Sequence, residues 1–275
     1  MTEIVTWLSL VPLLLAVGAV AGTLAGLLGV GGGIVIVPVL YWLTEVGLIA
    51  VDQAVAVHFA VATSLFTIIP TSISSARAHF RKGSIDMELF RAWAPFMFAG
   101  ALLGGLVAAN VNAAALSAVF GVIALLVVVN MLNPKPVTLA QAPPVSLAAR
   151  AAIAGPIGGL SATMGIGGGT LSVPTLTLLS VPVHRAVGTA ALFGLAIAVP
   201  GILGYALAGQ DIPGLLAYSL GYINLPAAII ISCATFLFAP LGVRIAHLLN
   251  ARRLRTAFAV FLGISGVKML SEAIL

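Results

Sequence analysis

The chain has 275 residues, of which 61% are hydrophobic and only 7% charged, against about a quarter charged in a soluble globular chain. That balance excludes a soluble domain and describes a single polytopic membrane domain. The net charge of +5 sits in short loops between apolar segments, so it reads as membrane topology and not as nucleic-acid binding.

Five apolar segments follow one another in the first half, at about residues 7–28, 34–50, 58–76, 90–109 and 113–131. The second half repeats the series near 148–164, 170–181, 186–208, 216–243 and 256–274. The N-terminal MTEIVTWLSL has an acid and no basic stretch, so the first segment reads as retained and not as a cleavable leader. Most segments approach the ~20 residues a spanning helix needs, but the second of each half is shorter. Those two read as half-helices or re-entrant segments, which leaves eight to ten crossings. Between the halves, NPKPVTLAQAPPVSLAAR from Asn133 to Arg150 is rich in proline and ends the helical pattern. Cys233, in AIIISCATFLF, is the single cysteine; it excludes an internal disulfide and reads as a small packing residue.

Three landmarks recur in order. GVGGGIVIVP from Gly29 matches GIGGGTLSVP from Gly165 at an offset of 136. HFAVAT from His58 matches HRAVGT from His184 at an offset of 126, and Gly83 matches Gly209 at the same offset. Gly104, Leu116 and Phe120 match Gly242, Leu254 and Phe258 at an offset of 138. The expected organisation is a membrane repeat at 1–132, a cytoplasmic linker at 133–149 and a second membrane repeat at 150–275.

Equivalent loops of the two halves carry opposite charge bias. Arg77, Arg81, Lys82 and Arg91 follow segment three of the first half, where the second half has only Asp211. After segment four the bias reverses, from the uncharged Asn110 to Asn112 to the basic Arg244, Arg252, Arg253 and Arg255. After segment two, Glu45 and Asp52 correspond to His184 and Arg185. One topology satisfies every loop: both termini outside, with the Arg77 to Arg91, Lys135 to Arg150 and Arg244 to Arg255 stretches inside. Five segments per half is an odd number, so the second copy enters the membrane inverted. The expected fold is all-α, with two inverted repeats and helix breaks at the GxGGG motifs.

Inverted repeats with broken helices are the architecture of many secondary transporters, whose sites lie near the midplane. Segment two of each half starts directly after its glycines, where unsatisfied amides and the positive end of the helix dipole can hold an anion. Gly31, Gly32, Gly33, Gly167, Gly168 and Gly169 are therefore candidate substrate contacts, with a packed structural break as the other reading. Gly18, Gly22 and Gly26 have the four-residue spacing of helix packing.

Segment three of the first half carries Thr63, Ser64, Thr67, Thr71, Ser72, Ser74 and Ser75. Thr63, Ser64 and Ser75 are the candidate polar contacts among them, joined by Thr189 at the repeated position and by Thr170 and Ser172 after the second glycine cluster. Hydroxyls on helices also bond their own backbone. Arg77, His79 and Arg81 form a candidate cytoplasmic anion mouth, and also serve topology. His58 and His184 read as interfacial. Glu45, Asp52, Asp86, Glu88 and Asp211 all lie near segment ends, so no buried acid stands out to carry a coupling ion.

The paired motifs, the HxAVxT repeats and TSISSARAHFRKGSID resemble the sulfite exporter TauE/SafE family, also described as a toluene sulfonate uptake permease family. The resemblance extends over essentially the whole chain. It implies a secondary transporter of a small sulfur-containing anion: sulfite, thiosulfate, sulfoacetate or another organosulfonate. No cofactor or metal is implied; the partners are the anion substrate and membrane lipid, with a proton as a candidate coupling ion. Thr189 is followed by Ala190 where Thr63 is followed by Ser64, so polar contacts at the repeated motif are expected to be asymmetric. Export is the expected direction, because an anion leaving a negative interior gains ~2.3 kcal/mol per charge per 100 mV. An anion channel or uptake permease with the same site is the alternative. The chain lacks HExxH, paired intramembrane aspartates and a GxSxG serine with a histidine partner, so an enzyme is not expected.

Overall fold

A computed structural model describes residues 2–132, 139–210, 212, 215–216, 218–246 and 251–274, with side chains described from residue 9 onward except at 251–255 and 257–258. Lys135 and Asp211 lie outside the described residues, as do the side chains of Arg252, Arg253, Leu254, Arg255 and Phe258. The chain folds as helices α1 Thr2–Leu28, α2 Gly33–Glu45, α3 Gln53–Arg81, α4 Met87–Ala108 and α5 Ala113–Leu132. The second half contributes α6 Leu147–Thr163, α7 Gly169–Leu178, α8 Val183–Ala208, α9 Leu225–Ile245 and α10 Ala251–Ile274. Each half thus has the expected order of five helices, the second of them short, at 13 and 10 residues. Among the described residues, six helices are long and apolar enough to cross a membrane: α1, α3, α4, α5, α8 and α9. The protein is an all-α polytopic membrane protein.

Local chemistry sets the helix starts. Asp52 caps α3 by accepting from the Ala54 N–H at 2.9 Å, and Asp86 caps α4 through the Leu89 N–H at 2.9 Å. Ser146 caps α6 through Ala149, and Asn224 caps α9 through Ala227 at 3.0 Å. Each supplies a side-chain acceptor to a first-turn amide that has none in the helix. The sequence pattern places the fourth segment of the second half from about residue 216, but α9 starts at Leu225. The apolar residues before it form a two-stranded hairpin, β1 Ser219–Leu220 paired antiparallel with β2 Ile223–Asn224. Gly221 turns that hairpin at φ +55°, and Asn224 with the following proline then fixes the helix start.

Helices α3 and α8 are the most buried of the six spans, at 78% and 61%, so they form the centre. They pack on each other; α9 covers α3 and α4 covers α8. Outside them, α1 lies on α9, α6 on α4, α2 on α3, α7 on α8, and α5 on α10. Exchanging the halves turns each of these pairs into another pair of the set or into itself.

The glycine stripe Gly18, Gly22 and Gly26 meets α9 at Ile231, Thr235 and Ala239, which is the packing role expected of its spacing. A Cβ at Gly22 would stand 2.6 Å from the Thr235 Cα, so the backbones touch. Cys233 lies on the exposed face of α9, not in the packed interior expected for it. Its neighbours Ser232 and Ala234 are buried, and the helical turn carries Cys233 outward between them.

The linker side is tied to the end of α7. The Leu139 N–H donates to the Leu178 carbonyl at 2.8 Å, and Ser180 Oγ donates to the Ala140 carbonyl at 2.7 Å.

Candidate functional site

Both short helices begin at a glycine cluster, and the two clusters meet. Gly29, Gly31 and Gly33 face Gly169, Gly167 and Gly165 in that order, so the two segments run antiparallel across each other. A Cβ on Gly31 would lie 2.6 Å from the Gly167 Cα, and the reverse substitution gives the same distance. Gly33 lies against the Gly165 carbonyl and Gly169 against the Gly29 carbonyl. Gly29, Gly31, Gly32 and Gly165 also take positive φ of +65° to +79°, which favours glycine over any residue with a Cβ. The clusters are buried, and each fills the space beside the other with backbone.

The neighbouring glycines point elsewhere. Gly32 lies on Ala21 of α1, whereas Gly168 lies on Phe193 and Gly194 of α8. The cap conformations differ too: Gly32 is left-handed at φ +79°, Gly168 right-handed at φ −53°.

The hydroxyls proposed from the sequence divide into two groups. Ser64 Oγ donates to the Gly165 carbonyl at 2.8 Å and so anchors the second glycine segment to α3. Thr63 Oγ1 accepts from the Asn224 N–H at 3.1 Å, and Thr189 Oγ1 accepts from the Asp86 N–H at 2.9 Å. These three hydroxyls hold the scaffold. Thr170 and Ser75 differ: each is at most 2% exposed and neither hydroxyl has a hydrogen-bond partner among the described residues. Ser72 and Ser172 share that state at 2% and 0% exposure. Leaving one such group unsatisfied in an interior costs roughly 1–3 kcal/mol.

Those four hydroxyls belong to α3 and to the start of α7, and Gly194 joins the two elements. The Ser72 Oγ abuts Gly194, where a Cβ would collide with it, and a Cβ on Gly168 would reach the Gly194 amide nitrogen at 3.1 Å. Ser72 was legible only as one member of a serine-rich segment, and Gly194 carried no signal in the sequence at all.

The proposed mouth residues do not form one cluster. Arg77 and Arg81 are exposed on one face of α3, but His79 is buried at 4%. His79 Nε2 lies 3.1 Å from the Gly26 carbonyl at the end of α1, because a two-residue step turns a helical side chain through about 200°. The two equivalent histidines also separate. His58 is buried at 3%, with Nε2 2.8 Å from the Val111 carbonyl and its ring stacked 4.9 Å from Tyr222. His184 is exposed.

Among the described residues, Lys268 of α10 joins Glu45 at the end of α2 to Glu272, the latter at 3.6 Å. Sequence reasoning passed over this network, although Lys268 and Glu272 have the four-residue spacing that places them on one helix face. A separate, mostly apolar groove of about 530 Å³ between α4 and α8, lined by Phe90, Arg91, Pro95, Phe98, Leu195 and Val199, opens on the outside of the bundle.

The sequence profile described as sulfite exporter TauE/SafE matches residues 14–269. A probable membrane transporter protein of Haemophilus influenzae is 32% identical over 260 residues, covering 94% of this chain and 97% of its own. One from Methanocaldococcus jannaschii is 28% identical, covering 96% and 97%, and YunE of Bacillus subtilis, also named a probable membrane transporter protein, is 30% identical over 72% and 79%. No solved structure was found to match. With a membrane-spanning helical bundle, helix breaks at its centre and a profile match over nearly its whole length, the chain belongs to the sulfite exporter TauE/SafE family of membrane transporters.

Proposed function

We propose that the protein is a secondary transporter that exports a small sulfur-containing anion across the cytoplasmic membrane by alternating access. The observation that carries this reading is the crossing of the two glycine segments at the starts of α2 and α7. A crossing of this kind places two helix N-termini back to back between the central helices α3 and α8, where an anion can be held against the positive helix ends. The family match to sulfite exporters supports the substrate class of sulfite, thiosulfate, sulfoacetate or another organosulfonate, and supports transport over intramembrane catalysis.

The halves, 1–132 and 150–275 around the 133–149 linker, act in this reading as inverted repeats. Three features support it: the antiparallel glycine segments, the helix pairs that interchange with the halves, and the matched threonine bonds. Both termini then lie outside. The tight burial of the crossing favours a carrier over an open channel, and the inside-negative potential favours export of an anion. A proton remains the candidate partner for uptake. Of the residues singled out from the sequence, Gly168, Thr170 and Ser75 are assigned to substrate. Gly31, Gly32, Gly33, Gly167, Gly169, Thr63, Ser64 and Thr189 are assigned to holding the break, and Arg77 and Arg81 to attracting anions at the inner face.

The test is uptake of radiolabelled sulfite, thiosulfate and sulfoacetate into proteoliposomes holding the purified protein, with and without the same anion inside. Saturable flux accelerated by internal anion supports the carrier. Flux that never saturates and is unaffected by internal anion points to the channel, and no flux of any of the three withdraws the substrate class.

A further inference from the structure

We propose that the chain holds one anion site and not a symmetric pair: a pocket of neutral donors built by Ser72 and Ser75 of α3, Thr170 and Ser172 of α7, and the close approach at Gly194 of α8. The proposal rests on the transporter reading above and locates its substrate.

The first support is a contrast within single helices. On α3, Thr67 and Thr71 are fully buried and donate to the carbonyls of Ser64 and Thr67 at 2.7 and 2.6 Å. On α7, Thr175 and Thr177 do the same toward Leu171 and Pro174. Donation to the preceding turn is thus the ordinary resting state of a hydroxyl in this fold. Ser72, Ser75, Thr170 and Ser172 are equally buried and have no partner among the described residues, a state shared on α6 and α9 by Ser161 and Ser232. Ser72 and Ser75 are three apart, so they share a face of α3, and Ser72 presses on Gly194, the residue next to which Gly168 starts α7. Ser72 is thereby brought to the start of α7, whose first turns carry Thr170 and Ser172 at the positive end of the helix dipole.

The second support is the broken symmetry. At the offsets that align the halves, Thr170 and Ser172 correspond to Ile34 and Ile36, Ser72 and Ser75 to Ala198 and Gly201, and Gly194 to Ile68. Every polar member of the pocket has an apolar or side-chain-free counterpart, so the start of α2 lacks the unpartnered hydroxyls found at the start of α7.

The donor set also specifies the ligand. Arg77 and Arg81 are exposed and His79 faces α1, which leaves hydroxyls and a helix end without a formal positive charge. Hydroxyls spread over two helices suit a group with three acceptor oxygens. An SO3 group, shared by sulfite, thiosulfate and sulfonates, can bridge them through separate oxygens, each accepting from its own donor.

The test is isothermal titration of sulfite, thiosulfate and chloride into the purified protein, for wild type and for Ser72→Ala, Thr170→Ala and Thr71→Ala, with melting temperatures measured without anion. The expected result is one SO3 anion per chain, weaker chloride binding, affinity for the SO3 anion about tenfold or more weaker in Ser72→Ala and Thr170→Ala, and wild-type affinity in Thr71→Ala. Melting temperatures of the first two variants should equal or exceed wild type, because an unsatisfied hydroxyl has been removed; a fall would show that the hydroxyl serves the fold and would overturn its assignment. One-to-one binding that all three variants retain would overturn the pocket and leave the transporter reading standing, as would two anions per chain. A wild type that binds neither sulfite nor thiosulfate would overturn the sulfur-anion reading and this pocket with it.

Discussion

Thr63 Oγ1 accepts a hydrogen bond from the backbone N–H of Asn224 at 3.1 Å. Thr189, at the equivalent place in the second HxAVxT motif, accepts from Asp86 at 2.9 Å. Asn224 and Asp86 are themselves the caps of α9 and α4, so each motif threonine fastens a central helix to the start of the fourth helix of the other half. This joint gives the repeated threonine a structural role in each half.

Thr63→Val keeps the side-chain shape and removes the acceptor. The Asn224 residue is fully buried, so its amide is left without water or protein, at a cost of about 1–3 kcal/mol. Thr189→Val affects an amide in a half-buried residue and should cost less. Melting temperatures in detergent should fall in the order Thr63→Val, then Thr189→Val, then wild type, with thiosulfate affinity unchanged. A normal melting temperature with lost affinity would return the threonines to the substrate site.

Much of the fold was legible because membrane insertion leaves a strong trace in composition. All ten helices, their order and the short second helix of each half follow from apolar runs and glycine clusters. What the pattern misplaced are features set by tertiary contact. The apolar residues before Asn224 read as helix, but a glycine turn folds them into a hairpin. That the equivalent His58 and His184 differ, one buried against Tyr222 and the other exposed, is likewise set by tertiary contact. The glycine motifs announced a helix break, but that the two breaks touch each other depends on how the halves dock. Ser72 could not be told from Thr71 in the sequence, since the difference lies in which hydroxyl finds a partner.

The crossing itself tolerates no side chain. In Gly31→Ala the new Cβ would lie 2.6 Å from the Gly167 Cα, backbone that cannot move aside, and φ is +75°. Gly47→Ala meets only the second difficulty, at φ +72° with open space around it, which costs about 1–2 kcal/mol. Gel filtration of the two variants should show Gly31→Ala aggregated or absent and Gly47→Ala monodisperse with a lowered melting temperature. A well-folded Gly31→Ala would mean that the two segments are not packed against each other.

In the proposed inverted topology the loops after α3 and after α4 lie on opposite sides of the membrane. In a Cys233→Ser background, Lys82→Cys and Asn110→Cys place a thiol on each loop at exposed positions. A membrane-impermeant maleimide applied to intact cells should label Asn110→Cys at once and Lys82→Cys only after permeabilisation. The reverse pattern would turn the assigned orientation over, and equal labelling of both would contradict α4 as a crossing.

Asp86 gathers three contacts at the start of α4, and their physics ranks them. Its carboxylate accepts from the Leu89 N–H at 2.9 Å and stands 3.8 Å from Arg185, whose side chain is 61% exposed. An exposed ion pair at that separation contributes little, with a typical ceiling near ~1 kcal/mol. The cap satisfies an amide that has no other acceptor in the helix, and its loss costs about 1 kcal/mol. Arg185→Ala should therefore leave the melting temperature close to wild type, while Asp86→Ala should lower it by several degrees. Asp86→Asn retains an oxygen that can cap and loses only the charge, so it should lie near Arg185→Ala. If instead Arg185→Ala and Asp86→Asn both melt as low as Asp86→Ala, then charge holds α4 to the start of α8, and the joint would weaken with added salt.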